Sequence, residues 1–215
     1  MADERLLLRT YPTGPHDIVV AVGIEPNLRW GPFAEAYAGL FREMNVKLAV
    51  SLGALMAEVP HTREVRVTGS AFDPAVANNL DLSVSNYEGP TGIVGVLHQT
   101  LRQRELPAAS LWANVPHYIT TTQNPPATIA LLRRLQKILA IEFDYSELDA
   151  AGSRFLQEIN TAISGNSDLL EYVRRLETAV DPGGDTAAME GAVLPAAEDL
   201  VLDVEAFLRS QRDDD

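Results

Sequence analysis

A chain of 215 residues with 46% apolar side chains is long enough for an ordinary globular core, and its lack of cysteine excludes disulfides and thiolate metal sites. The whole formal charge of -13 sits in residues 141–215, which hold 18 acidic and 5 basic side chains, while residues 1–140 hold 12 of each. That excess would repel a phosphate backbone, the apolar runs fall short of the ~18 residues of a membrane helix, and Met1-Ala2-Asp3-Glu4-Arg5 does not read as a leader. A cytoplasmic protein binding neither nucleic acid nor membrane is therefore expected.

Asp17 to Ile24 is continuous and β-branched and reads as a buried strand ended by Glu25-Pro26, with Leu6 to Thr10 a candidate edge strand before it. Phe33, Tyr37, Leu40, Phe41 and Met44 recur at helical spacing and predict an amphipathic helix over 32–45. Val46 to Leu55 predicts a second buried strand and Glu64 to Gly69 a short one. Asp73-Pro74, a capping side chain followed by proline at the first helical position, opens a short helix. A helix follows over Thr91 to Arg104, with Ile93, Val94, Leu97 and Leu101 inward, and then a strand over Ala108 to Val115. Asn124-Pro125-Pro126 opens a longer helix striped by Ile129, Leu132, Leu135, Ile138 and Leu139.

Alternating strands and helices predict an α/β fold with a mostly parallel sheet over residues 1–140. From residue 141 the strands stop. Helices are expected near 146–163 and 166–180, then a linker near 181–194 containing Asp181-Pro182-Gly183-Gly184-Asp185. A last helix is expected over 196–210 on Leu200, Val204, Phe207 and Leu208. The acidic C-terminal region 141–215 has two readings, a solvated face or a surface for a basic partner.

Candidate site residues cluster where strands end, because α/β folds bind ligands outside the carboxyl ends of their strands. After the first strand, Glu25, Asn27 and Arg29 offer a carboxylate, an amide and a guanidinium; the plainer reading pairs Glu25 with Arg29 around a packed Trp30. Gly53 is expected at the carboxyl end of the second strand, and Pro60-His61-Thr62-Arg63 closes the loop that follows. His61 has the pKa range for proton transfer and Arg63 suits an anion or a carboxylate partner, although a loop histidine is commonly a hydrogen-bonding structural residue. Glu88, Gly89, Thr91 and Gly92 enter a helix whose free N–H groups suit an anion, yet the spacing matches neither a Walker loop nor the dinucleotide fingerprint, so no cofactor is expected. His117 and Tyr118 end the Ala108 strand, with an aromatic cluster beneath the loop as the alternative to a ligand contact. The four histidines lack ligand spacing, so no metal is expected.

Four stretches taken in order resemble the proteasome assembly chaperone family in its actinobacterial branch. They are Gly23-Ile24-Glu25-Pro26-Asn27-Leu28-Arg29-Trp30, Leu52-Gly53-Ala54-Leu55 with Val59-Pro60-His61-Thr62-Arg63, Tyr87-Glu88-Gly89-Pro90-Thr91-Gly92-Ile93, and Ser110-Leu111-Trp112-Ala113 with Val115-Pro116-His117-Tyr118. Tyr172-Val173-Arg174-Arg175-Leu176-Glu177 is similar too. The resemblance implies a phosphorylase-like three-layer α/β/α sandwich with a mixed sheet, a C-terminal helical addition and self-association. Two departures stand against it. The family's longer N-terminal region with a Gly-Trp-x-Asp-Ala-like turn is not found here, and the end Asp213-Asp214-Asp215 is unlike the hydrophobic-Tyr-x tail with which some relatives dock on the proteasome.

No complete catalytic constellation is present, so the first expectation is a non-enzymatic binding or assembly protein that forms a homo-oligomer, with a proteasome-related protein partner implied by resemblance. The alternative is a small-ligand binder or enzyme whose nucleoside-phosphorylase-like cleft takes an anionic ligand on Arg29 and Arg63.

Overall fold

The computed structural model describes residues 7–12, 17–85, 92–119, 121 and 123–181. The expected helix over 196–210 lies outside these residues. Strands β1 (Leu7–Pro12) and β2 (Asp17–Val22) pair antiparallel, from Leu7 opposite Val22 to Pro12 opposite Asp17. They form a sheet of their own. The expectation of a buried strand here is corrected, because Val20 is 42% and Val22 57% exposed. A run of β-branched residues encodes extended backbone, but burial needs a layer on each face, and this two-stranded ribbon leaves β2 largely uncovered.

The main sheet has the order β3-β6-β4-β5, built from β3 (Ala49–Ala57), β4 (Val67–Ala71), β5 (Ser83–Val84) and β6 (Ala108–Pro116). Ala49 N donates to Pro107 O and His117 N to Ala57 O, so β3 and β6 ascend together and are parallel. Arg66 O accepts from Asn114 N, Thr68 Oγ1 donates to Trp112 O, and Ser70 meets Ser110, so β4 descends as β6 ascends. β5 is parallel to β4. The sheet is mixed, and its neighbouring parallel strands β3 and β6 carry the two loop histidines just beyond their carboxyl ends.

The helices are α1 (Trp30–Glu43), α2 (Pro74–Asn79), α3 (Ile93–Gln103), α4 (Pro125–Leu139), α5 (Ser146–Ser164) and α6 (Ser167–Val180). Asp73 Oδ1 caps α2 by accepting from Ala75 N, with Pro74 in the first turn, as the sequence predicts. Asn124 Oδ1 likewise accepts from Ala127 N at the start of α4. Along α1, Phe33, Tyr37 and Phe41 stack at i, i+4 spacing with centroids 4.7 and 5.8 Å apart. No helix among the described residues is long and apolar enough to cross a membrane.

The described residues fall into two compact units, one drawn from 1–52, 69–111 and 136–142, the other from 53–68, 112–135 and 143–215, and strands β3, β4 and β6 run from one into the other. Strand β6 alternates strictly, with Ala109, Leu111, Ala113 and Val115 buried on one face. In the first unit Ala109 packs with Ala71 and Ala77 of α2 on that face. On the opposite face Ser51 of β3 hydrogen-bonds His98 of α3 at 3.0 Å. Helices thus cover both faces, the layering of a three-layer α/β fold. In the second unit Ala113 and Val115 pack with Ala127 of α4, and a separate apolar cluster joins Tyr118 and Ile119 to Ile159, Ile163, Leu169, Tyr172, Val173 and Leu176 of α5 and α6.

This last cluster packs the residues after β6 against the two helices. Leu176→Ala, at a position with no exposure, is expected to cost ~2–5 kcal/mol. Asn166 caps α6 by accepting from Asp168 N and Leu169 N; Asn166→Ala is expected to cost about 1 kcal/mol. Urea unfolding in a Trp30→Phe background, which leaves Trp112 as the one indole, followed by both circular dichroism and fluorescence checks the coupling. Transitions that separate between the two probes for Leu176→Ala would show that α6 does not stabilise the strand.

Candidate functional site

Tyr118 is the centre of the site. It stands two residues past the end of β6, has no exposure, and keeps its hydroxyl away from water. That hydroxyl accepts from the His61 backbone N–H at 2.9 Å and lies 2.8 Å from His61 Nδ1. His61 Nε2 is in turn 3.1 Å from Asn160 Oδ1 of α5. One arrangement of protons satisfies all three contacts. Tyr118 O–H donates to an unprotonated Nδ1, and Nε2–H donates to the Asn160 oxygen. Burial lowers the His61 pKa from its ordinary 6.5, outweighing the Asn160 hydrogen bond and the charge of Glu177, which raise it. Burial also holds the Tyr118 hydroxyl far above its ordinary 10. Both groups are kept neutral, the state the hydrogen bonds require.

His117 and Tyr172 complete the cluster. His117 Nδ1 lies 3.3 Å from Ala57 O at the end of β3, and Tyr172 Oη lies 3.4 Å from His117 Nε2. The rings meet edge to face, with His117 and Tyr118 at 5.6 Å, His117 and Tyr172 at 5.8 Å, and Tyr118 and Tyr172 at 6.1 Å. Burial raises the Tyr172 pKa, helped by Glu58 and opposed by Arg175. The structure thus brings His61, His117 and Tyr118 together, on an aromatic cluster beneath the loop.

Arg63 is bound internally. Its Nε and NH2 donate to Asp181 Oδ1 and Oδ2 at 2.8 and 2.7 Å, and its NH1 reaches Glu177 Oε1 at 3.0 Å. Thr62 Oγ1 donates to the same Glu177 oxygen. Asp181 is held below the usual carboxylate range, chiefly by the hydrogen bond from Arg63. The Pro60-His61-Thr62-Arg63 loop therefore ties to α5 and α6 through three consecutive side chains. Asn160, Tyr172, Glu177 and Asp181 were not singled out as site residues on sequence grounds. The available signal is the four-residue spacing of Glu177 and Asp181 across the end of α6, which brings two carboxylates close together.

Gly53 lies inside β3 rather than at its carboxyl end, since the strand continues to Ala57. A Cβ there would come within 2.4 Å of the Trp112 ring, so the missing side chain makes room for the indole of the neighbouring strand.

In the first unit, Glu25, Asn27 and Arg29 are exposed. Arg29 caps α1 in the left-handed region at φ 60°, and Trp30 Nε1 donates to Pro26 O. Gly92 caps α3 with extended backbone and open space where a Cβ would stand. The N-terminal turn of α3 meets a carboxylate of this chain, with Ile93 N 3.4 Å from Glu25 Oε1. Glu88, Gly89 and Thr91 lie outside the described residues. His98 is buried between Ser51 and the Phe72 ring, and burial lowers its pKa from 6.5. Among the described residues no group of His, Asp and Glu is placed to hold a metal ion.

Because the folded pKa of His61 lies below its unfolded value, the unfolded chain binds the extra proton as pH falls below 6.5. The stability from a neutral His61 is complete above that pH and is lost as pH falls through the folded pKa. His98 acts in the same direction. His61→Gln is expected to lower the melting temperature and to shrink its fall between pH ~7.5 and ~5.5; a variant with the full wild-type fall would refute the assignment. Gly53→Ala is expected to cost ~1–3 kcal/mol in urea unfolding by displacing Trp112, with a shifted indole emission.

A family model described as the PAC2 family matches residues 3–163. The chain is 39% identical to a PAC2 family protein from Streptomyces avermitilis, with TM-score 0.70 over 79% of this chain and 72% of that one. It is also 39% identical to a proteasome-assembly chaperone homologue from Mycobacterium tuberculosis, with TM-score 0.69 over 78% of this chain and 72% of that one. An archaeal proteasome activator from Pyrococcus furiosus, 18% identical, shares the fold at TM-score 0.60 over 73% of this chain and 69% of that one. No curated protein matches. With three quarters of its length under the family model, and two relatives at 39% identity, this chain belongs to the PAC2 family.

Proposed function

We propose that this protein is a non-enzymatic assembly protein acting in the cytoplasm on a proteasome-related partner. The observation that carries the reading is the occupation of the loop histidines. Both ring nitrogens of His61 and both of His117 face polar atoms of this chain, and Arg63 is paired twice. The residues best suited to proton transfer and anion binding hold β3, β6, α5 and α6 in place. A rigid element of this kind suits recognition of a macromolecule.

Strand β3 offers the contact. It stands at the end of the sheet order, and Leu52, Leu55 and Met56 are 48%, 55% and 64% exposed. Apolar side chains on an edge strand are features that protein partners and self-association both use. The M. tuberculosis relative is described as a proteasome-assembly chaperone homologue, which supports a proteasomal partner. A homo-oligomer is part of the same reading.

Native mass spectrometry of the protein purified gently from its own host tests this. Co-purifying proteasome subunits are expected, and Leu55→Glu with Met56→Glu is expected to abolish the complex while the circular dichroism stays native. Recovery of the wild-type protein free of proteasome subunits, or a complex untouched by the double substitution, would reject the reading.

A further inference from the structure

Arg66 and Asn114 are placed side by side by strand register. Asn114 N donates to Arg66 O at 2.9 Å, and the antiparallel pairing of β4 with β6 sets 66 opposite 114. Directly opposed residues of an antiparallel pair project from the same face as near neighbours. That face carries Trp112 and Ser110 and is opposite to the buried Ala113 and Val115.

Both residues line a cavity of about 300 Å³ in the second unit, walled by Val59, Pro116 and Val180. The volume is at the lower end of the ~300–1,000 Å³ range of ligand pockets. The charges around it differ in what they have left to give. Arg63 is neutralised by Asp181 and Glu177. Glu64 is 86% exposed and turned toward Arg133 at 3.7 Å. Arg66 forms no ion pair or side-chain hydrogen bond among the described residues, so its guanidinium is the available cation. Asn114 Oδ1 is buried without any hydrogen-bond partner. A buried acceptor left unpaired costs ~1–3 kcal/mol, which a donor brought within its reach would recover.

We propose that this cavity binds a small organic anion that also carries a hydroxyl or amine donor. The anionic group pairs with the Arg66 guanidinium, and the donor satisfies Asn114 Oδ1. The apolar walls take the carbon skeleton. The cation and the orphan acceptor share one strand pair, so a ligand carrying both groups a few bonds apart meets them together. A molecule with the anionic group alone leaves Asn114 unpaired.

The test is a heteronuclear NMR titration of the full chain with L-malate and L-serine, each against its analogue without the donor, succinate and propionate. At least one of the first pair is expected to shift the amide resonances of Arg66 and Asn114, and its analogue to bind about tenfold more weakly. Arg66→Gln, an exposed substitution that leaves the core untouched, is expected to weaken binding by about tenfold as well. Absence of shifts at Arg66 and Asn114 with both probes overturns the proposal. So does affinity unchanged by Arg66→Gln, which would place the ligand elsewhere. Equal affinity for a probe and its analogue overturns the role of Asn114.

Discussion

The hydroxyl of Tyr118 has to be satisfied where no water reaches it, and the arrangement around it follows from that requirement. Its oxygen accepts the His61 N–H and faces His61 Nδ1, which sets the path of the loop after β3 against the residue after β6. His61 must then stay neutral with its proton on Nε2, and that proton needs Asn160 on α5. One buried phenol thereby couples two strand ends and a helix. The aromatic edges of His117 and Tyr172 close around the same group. A buried network whose members are all paired favours a single geometry, since any shift leaves a costly unpaired atom.

Charge around this centre is arranged to the same end. The acidic excess of the last third of the chain reads as a solvated face or as a surface for a basic partner. Two of its carboxylates, Glu177 and Asp181, instead hold the guanidinium of Arg63 in a bidentate and a single contact. The pairs are partly exposed and weakened by solvent, so their value lies in orientation more than in energy. They hold the end of α6 against the loop that carries His61.

The same features weigh on function. Imidazoles that serve catalysis must be free to take up or release a proton during a reaction cycle. Here Tyr118 and Asn160 occupy His61, and Ala57 and Tyr172 occupy His117. What the chain leaves open is of another kind: apolar side chains on the edge strand β3, and one cation beside one orphan acceptor in a small cavity. The first suits a protein surface and the second a small polar molecule, and neither requires bond-making chemistry.

Several elements were legible in the sequence because their signals are local. The 3.6-residue stripes of α1, α3 and α4, the Asp73-Pro74 start of α2 and the run Ala108 to Val115 each report a periodicity or a cap that the chain carries within a few residues. The resemblance of the loop motifs likewise pointed to the family. Burial of β2 was not legible, because Ile18 to Val22 is the same string whether or not a layer covers it. Nor was the reversal of β4 and β5, since strand direction depends on how the connections close. Gly53 lies mid-strand against Trp112 because β3 extends to Ala57, a length that the sequence pattern does not mark. His61, Arg63, His117 and Tyr118 were recognisable as residues of interest from position alone. Their partners Asn160, Tyr172, Glu177 and Asp181 stand 55 to 118 positions away along the chain. Whether a histidine is a free base or a bound structural group depends on such distant atoms, and only the tertiary structure brings them within hydrogen-bond reach.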